Sequence, residues 1–368
     1  MVSRLLLLVL LVFSESVLAK RIAWLAPMKV SASGQVDYSE GNQFWRLTHA
    51  FIEDAAQDLE IDLDIYMYNR NRFEMLRLAE EIAKHPQPYD AVLFYNFQNK
   101  GVEILDIFEA AKIPVFTFIT NFEISDSNLA PRRSHKYWIG QMVTDDIAAG
   151  SLLADALIQE ADERYNKDKF AVVAIGGEYG HSANVDRQKG LTDQINIKQS
   201  KAYLQQYLSG SWKRSRAERL YPALKNRYRE MDIVWCANDE LALGVMDALK
   251  ANETALIGGI DWDLEALKQI QQGRLYASVG GHFLHGGFSL VLIHDYLAGR
   301  DFNSFGNYTF KESLILLTQN DSETIGTLLE QFANKAIYQA VDFKNYSLLQ
   351  ATANSDYNFS IKHALKLK

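Results

Sequence analysis

Apolar residues in this chain come in short dense runs, each broken by polar residues and then followed by apolar positions at helical spacing. The clearest case spans 233–249, where Ile233, Val234, Trp235 and Cys236 run together, Asn238, Asp239 and Glu240 interrupt, and Leu241, Val245 and Ala248 recur at helical intervals. That pattern predicts a strand, a tight turn and a helix with Asp239 as its N-cap. The arrangement repeats at once: 255–260 is an apolar run, Asp261 closes it, and Leu264, Leu267 and Ile270 start the next helix. Upstream, the runs 21–27, 61–67, 89–95 and 113–118 predict strands, the second by alternation and the others by continuous apolar character. Between them, helices are expected from Asn42 through Ala55, over 72–84 and over 101–111. A polar stretch over 120–137 reads as a loop, and Asp145-Asp146 caps a helix whose apolar face includes Leu153 and Leu157. A second series then begins, with strands at 170–177 and 201–207 and helices over 185–195 and 214–228.

Strands alternating with helices imply right-handed crossovers and a parallel sheet covered on both faces. Two such series predict two doubly wound α/β lobes. Open sheets of this kind hold ligands outside the carboxyl ends of their strands. Asn238 and Asp261 fall at equivalent strand ends, so an amide and a carboxylate aim at one crevice; either residue alone is an ordinary turn former. Trp45 lies in the first turn of a helix beside a polar loop, where an indole faces the same kind of crevice.

Composition narrows the function classes. The chain has 368 residues, 48% hydrophobic and 23% charged, enough for two sizeable cores. A net charge of −8 argues against nucleic acid, whose binding depends on basic patches. Residues 1–19 differ from the rest: Arg4, an apolar run over 5–13, then Val17 and Ala19 before Lys20 have the layout of a cleavable export signal. The mature chain is therefore expected in the periplasm, unanchored and monomeric. Cys236 is the single cysteine, so an intramolecular disulfide is impossible; its place within an apolar strand predicts a buried structural thiol.

The run Asn238-Asp239-Glu240-Leu241-Ala242-Leu243-Gly244, the strand end Gly259-Ile260-Asp261 and the helix start Asn42-Gln43-Phe44-Trp45 together resemble the type I periplasmic sugar-binding proteins. The resemblance covers nearly the whole mature chain. It implies that Phe44 and Trp45 are the family's aromatic pair, that Asn96 is the polar residue ending its third strand, and that Arg187 is the guanidinium donating to sugar oxygens. It also implies Trp212 as the second stacking aromatic and matches Asn238 and Asp261 to the family's amide and carboxylate. One departure separates this chain from ribose binders: Ile119-Thr120-Asn121 stands where those carry an Asp-Arg pair. The loop Gly34-Gln35-Val36-Asp37-Tyr38, the segment 180–190 and Asn320-Asp321-Ser322-Glu323 are similar to the periplasmic autoinducer-2 receptor, which reports to a membrane sensor kinase. The resemblance implies lobes at 20–138 plus 282–310 and at 139–281 plus 311–368. The crossings between them are expected within 120–137, at Gly280-Gly281-His282 and within 307–311. The tail from Thr324 onward, with Leu328, Leu329, Phe332 and Ile337 on one face, is expected to pack on its own second lobe.

The chemistry of these residues suits a polyol. A carbohydrate offers apolar C–H faces and a ring of hydroxyls, so flat aromatics and buried directional polar groups recognise it. The expected ligand is a small sugar or furanosyl compound, with no cofactor, passed to a membrane ABC permease, a chemoreceptor or a sensor kinase. The alternative is an exported α/β hydrolase or glycosidase acting on a carbohydrate. Against it, the chain has no Gly-x-Ser-x-Gly elbow, and Gly176-Gly177-Glu178-Tyr179-Gly180 is neither a dinucleotide fingerprint nor a P-loop. For His282, His285 and His294 no thiol or carboxylate completes a metal ligand set, and they read as hinge and helix residues. A DNA-binding repressor on the same fold is excluded by the expected export signal and by the absence of a helix pair before the first strand.

Overall fold

A computed structural model describes residues 19–30, 36–37, 43–122, 129–197, 201–250, 255–302, 308–333, 341–349 and 356–367. All but the last residue of the expected export signal lies outside the described residues, as do Gly34, Gln35, Tyr38, Asn42, Asn307 and Ile337. Two six-stranded sheets form the two lobes. The first has the order Thr309–Glu312, Trp138–Thr144, Val115–Ile119, Ala91–Phe94, Arg21–Ala26, Asp62–Met67, and all its pairs are parallel. The second has the order Ile315–Thr318, Ala277–Gly280, Leu256–Asp261, Ile233–Cys236, Phe170–Gly176, Ala202–Ser209, parallel except for the Ile315–Thr318 edge. Position in the sheet explains the apolar patterns. Central strands such as Ala91–Phe94 and Phe170–Gly176 are buried along their whole length, because helices cover both faces. The edge strands Asp62–Met67 and Ala202–Ser209 are half-buried, and carry polar residues among the apolar ones.

Two expectations about lobe boundaries change. The lobe boundary was expected between residues 138 and 139, yet the strand Trp138–Thr144 pairs with Val115–Ile119 in the first sheet, so the chain crosses only after Thr144. The segment 120–137 is accordingly no crossing; its described residues belong to the first lobe, where Arg132 pairs with Asp301 at 2.7 Å. A further crossing falls at Ser313-Leu314, between Thr309–Glu312 and Ile315–Thr318, rather than within 307–311. Apolar patterning reports that a strand is buried but carries no label for which sheet buries it. The remaining crossing is at Gly281, as expected from the glycine pair; its φ of 108° is a conformation that side-chain-bearing residues resist.

The tail also departs from expectation. Helix Ser322–Ala333 packs on helix Leu264–Gln271 of the second lobe, but residues 341–349 and 356–367 lie against the first. Phe343 and Tyr346 pack on Phe288, while the Phe343 backbone N–H donates to Asp58 at 2.8 Å. Buried Asp295 accepts from the Ser347 hydroxyl, the Leu348 N–H and the Tyr357 hydroxyl at 2.6, 2.7 and 3.0 Å. Burial alone would raise that carboxyl, but these bonds and one from His294 hold it below its usual value. Ile361 rests against Gly281 at the crossing itself, where an added Cβ would come within 2.6 Å. An apolar face predicts that a segment packs; it does not choose the partner.

Candidate functional site

Between the lobes lies a cavity of about 550 Å³, and residues from both sheets line it. On the first-lobe side, helix Gln43–Asp58 brings in Phe44 and Trp45, and Tyr95 follows the strand Ala91–Phe94. Trp45 stacks on Tyr95 with centroids 4.6 Å apart and planes at 36°; Phe44 meets the Trp45 edge at 5.2 Å and lies on His282 at 4.5 Å. On the second-lobe side stand Arg187, Trp212, Asn238 and Asp261. Trp212 follows strand Ala202–Ser209 with φ of 62°, and the Arg187 guanidinium carbon is 5.8 Å from its ring centroid. Across the mouth, the Gln98 and Asn99 amides donate to Glu178 at 3.4 Å and to the Gly180 carbonyl at 3.1 Å, so the lobes touch.

Of the seven residues singled out from the sequence, Phe44, Trp45, Arg187, Trp212, Asn238 and Asp261 meet in this cavity. Asn96 does not line it. Its Oδ1 accepts from the Gly101 N–H at 2.9 Å and its amide donates to the Asn121 carbonyl at 3.3 Å, so the turn into helix Gly101–Ala111 consumes it. At the next strand end the capping roles are exchanged. Asp239 was expected to cap helix Asp239–Ala248, but the cap is Asn238, whose Oδ1 accepts from the Leu241 N–H at 3.0 Å. Its amide nitrogen is what remains for the cavity. Asp239 turns inward, fully buried, and accepts from the Asp263 N–H and the Ser278 hydroxyl, both at 2.8 Å. Burial, with Asp261 and Asp263 close by, pushes its carboxyl well above the ordinary range.

Arg187 is the electrostatic centre of the site. Helices Asp146–Arg164 and Ser182–Ile197 approach backbone to backbone at Gly150 and Gly190, where a Cβ would sit 2.1 Å from the Arg187 carbonyl and 2.0 Å from that of Ile147. That contact sets Arg187 beside Asp146, which it meets through Nε at 2.7 Å. Nη1 donates to the Ala237 carbonyl at 2.7 Å and to Asp261 at 3.3 Å, and Nη2 lies 3.3 Å from His282 Nε2. The same His282 nitrogen lies 3.4 Å from Asp261, so guanidinium, imidazole and carboxylate converge at one point. Asp261 holds φ of 132° at its strand end, a strained conformation that turns the carboxylate into the cavity.

Several lining residues are not among the seven singled out from the sequence. Tyr95, Glu178, His181, Glu240 and Asp263 line the cavity, and so does His282. His282 was legible as a residue following a glycine hinge but was set aside as structural. Burial and the nearby Asp263 push the Glu240 carboxyl up to about 7, and burial with Asp261 pushes Asp263 up to about 6. Burial and the Arg187 charge bring His181 down to about 4, so its ring is neutral at physiological pH. Among the described residues, no group of three or more His, Cys, Asp or Glu side chains could hold a metal ion, and His294 bonds instead to Asp295 at 3.0 Å. Cys236 is fully buried and burial raises its thiol well above the usual range. No helix among the described residues is long and apolar enough to cross a membrane.

Residues 36–299 match the family model described as periplasmic binding protein domain. The chain is 26% identical to the galactofuranose-binding protein YtfQ of Escherichia coli over 281 residues, covering 73% of this chain and 82% of that one. It is 25% identical to the D-allose-binding periplasmic protein of the same organism over 243 residues, 65% of this chain and 75% of the other. A periplasmic sugar-binding protein from Pseudomonas fluorescens superimposes with a TM-score of 0.80 at 26% identity, over 94% of this chain and 99% of that one.

Proposed function

The chain belongs to the periplasmic binding protein domain family, whose members hold solutes rather than transform them, and on that footing we propose that its cleft captures a small sugar, a furanose in particular. The observation that carries this reading is the pairing of aromatic faces with directional polar groups in one cavity: Trp45 and Phe44 on one wall, Trp212, Arg187, Asn238 and Asp261 on the other. The rings accept the C–H faces of a sugar, and the polar groups fix its hydroxyls between them. A ligand lacking one hydroxyl leaves a buried polar group unpaired, and selectivity follows. Similarity to a galactofuranose-binding and an allose-binding protein supports the sugar class, and the furanose form is the one named for the former.

Residues 1–19 act in this reading as the export signal, and the mature chain works in the periplasm as a monomer that presents its loaded form to an ABC permease. The likeness of the loop 34–38 and the segment 180–190 to the autoinducer-2 receptor extends the same reading to a sensor kinase or chemoreceptor as the membrane partner. The hydrolase alternative has no support from family membership. Calorimetry of the mature chain with D-galactose, D-allose, L-arabinose and D-ribose tests the proposal, with NMR following each sugar over hours. Saturable binding without turnover is the expected outcome. Steady conversion of any of these sugars, or no binding to all of them and to galactofuranosides, would overturn it.

A further inference from the structure

Arg187 has less freedom than a ligand-facing arginine normally keeps. Its side chain is 5% exposed, and of the five N–H groups a guanidinium carries, Nε–H is directed to Asp146 and both Nη1 hydrogens to Ala237 and Asp261, while Nη2 lies 3.3 Å from His282 Nε2, which is itself 3.4 Å from Asp261. Nη2 is the only guanidinium nitrogen left to donate to a ligand. Its direction is fixed by whatever fixes the rotation of the guanidinium plane.

We propose that Asp146, which does not itself line the cavity, is a positioning residue that aims the remaining Arg187 N–H at the ligand and ties that aim to the junction between the lobes. This rests on the reading of the cavity as a sugar site. Of the four anchors, Asp146 makes the shortest contact to a charged group, a buried ion pair at 2.7 Å with both side chains 5% exposed. Its geometry is set by place in the chain. Asp146 opens helix Asp146–Arg164 directly after the strand Trp138–Thr144, the last of the first lobe before the crossing, while Asp145 takes over the capping of that helix from the Ala148 N–H at 3.1 Å. His282, the anchor on Nη2, follows Gly281 at the opposite crossing. Two of the four groups that orient Arg187 therefore sit at points where the chain passes between lobes. A shift of either crossing rotates the guanidinium, so the donor meets the ligand correctly at one lobe setting only.

The test combines affinity with a spectroscopic readout. In ligand-free protein labelled with nitrogen-15, the Arg187 Nε–H should give a resolved resonance protected from solvent exchange, and Asp146→Asn should abolish the protection. The same variant should weaken the best-bound sugar of the panel above by at least about tenfold, because a charge-assisted bond is replaced by a neutral one. In an Arg187→Lys background the added loss from Asp146→Asn should fall below about threefold, since no guanidinium is left to orient. Persistent Nε–H protection in Asp146→Asn overturns the proposal whatever sugar is bound, and so does an equal loss of affinity in both backgrounds. Should Asp146→Asn fail to fold, Asp146→Glu keeps the charge but displaces it, and unchanged affinity and protection in that variant overturn the proposal equally. If Arg187→Ala leaves affinity for a bound sugar intact, the sugar-site reading is what fails.

Discussion

At the scale of single residues, the site divides into groups that recognise and groups that hold others in place. In the proposed sugar site Asp261 and Trp45 are the groups assigned to recognition: one presents a carboxylate on a strained strand end, the other an indole packed at a tilt on Tyr95. Asp261→Ala and Trp45→Ala should each weaken sugar binding by about 2 kcal/mol, through unpaired buried donors in one case and lost stacking in the other. Titration calorimetry on folded variants reads both; unaltered affinity in the two together would remove this cavity as the site. Glu240 behaves differently. Its carboxyl is raised to about 7 by burial and by Asp263, so the folded state holds this proton more tightly than the unfolded chain does. The stabilisation is fully present below the unfolded value and is lost as pH rises through about 7. Glu240→Gln should therefore raise the melting temperature at pH 8 and lose that advantage at pH 5, a comparison that differential scanning calorimetry makes directly.

At the scale of elements, strand ends and helix starts compete for the same side chains. Asn238 stands at both, with its oxygen capping helix Asp239–Ala248 and the residue lining the cavity. Serine also caps well but has no amide to donate. Asn238→Ser should leave thermal stability within about 0.5 kcal/mol of the parent while lowering affinity, whereas Asn238→Ala should lose about 1 kcal/mol of stability as well. Measuring melting and binding on the same samples separates the two roles. An Asn238→Ser protein that binds normally would assign the residue to capping alone. Asn96 is already such a case: both its polar atoms are used by the adjacent turn, and the cavity forms without it.

For the molecule as a whole, the wall residues come from different lobes, and a ligand meets Trp45 and Arg187 together only when the lobes are near. The contacts from Gln98 and Asn99 to Glu178 and Gly180 describe that near state. Ligand shifts the balance toward it only as far as it binds the closed state more tightly than the open one. Addition of a bound sugar should lower the radius of gyration in small-angle scattering and shift tryptophan emission, with Trp45 and Trp212 as reporters. An unchanged scattering profile at saturation would exclude closure. The tail belongs to this scale too, because residues 341–349 and 356–367 bring a segment that follows the second lobe back onto the first, with Ile361 against Gly281.

Much of this was legible in the sequence. The alternation of strands and helices, the two-lobed α/β class, and the gathering of an aromatic helix start with Asn238 and Asp261 at strand ends all follow from periodicity, because burial and backbone conformation are recorded residue by residue along the chain. What tertiary structure decided was partnership. Trp138–Thr144 joined the first sheet rather than the second, Asn238 rather than Asp239 became the cap, Asp146 turned in to Arg187, and the tail chose the first lobe. Each of these depends on which surfaces and hydrogen-bonding groups meet across tens or hundreds of residues. Two neighbouring carboxylates or amides have nearly the same local propensity, so only the packed surroundings separate the one that caps from the one that is buried.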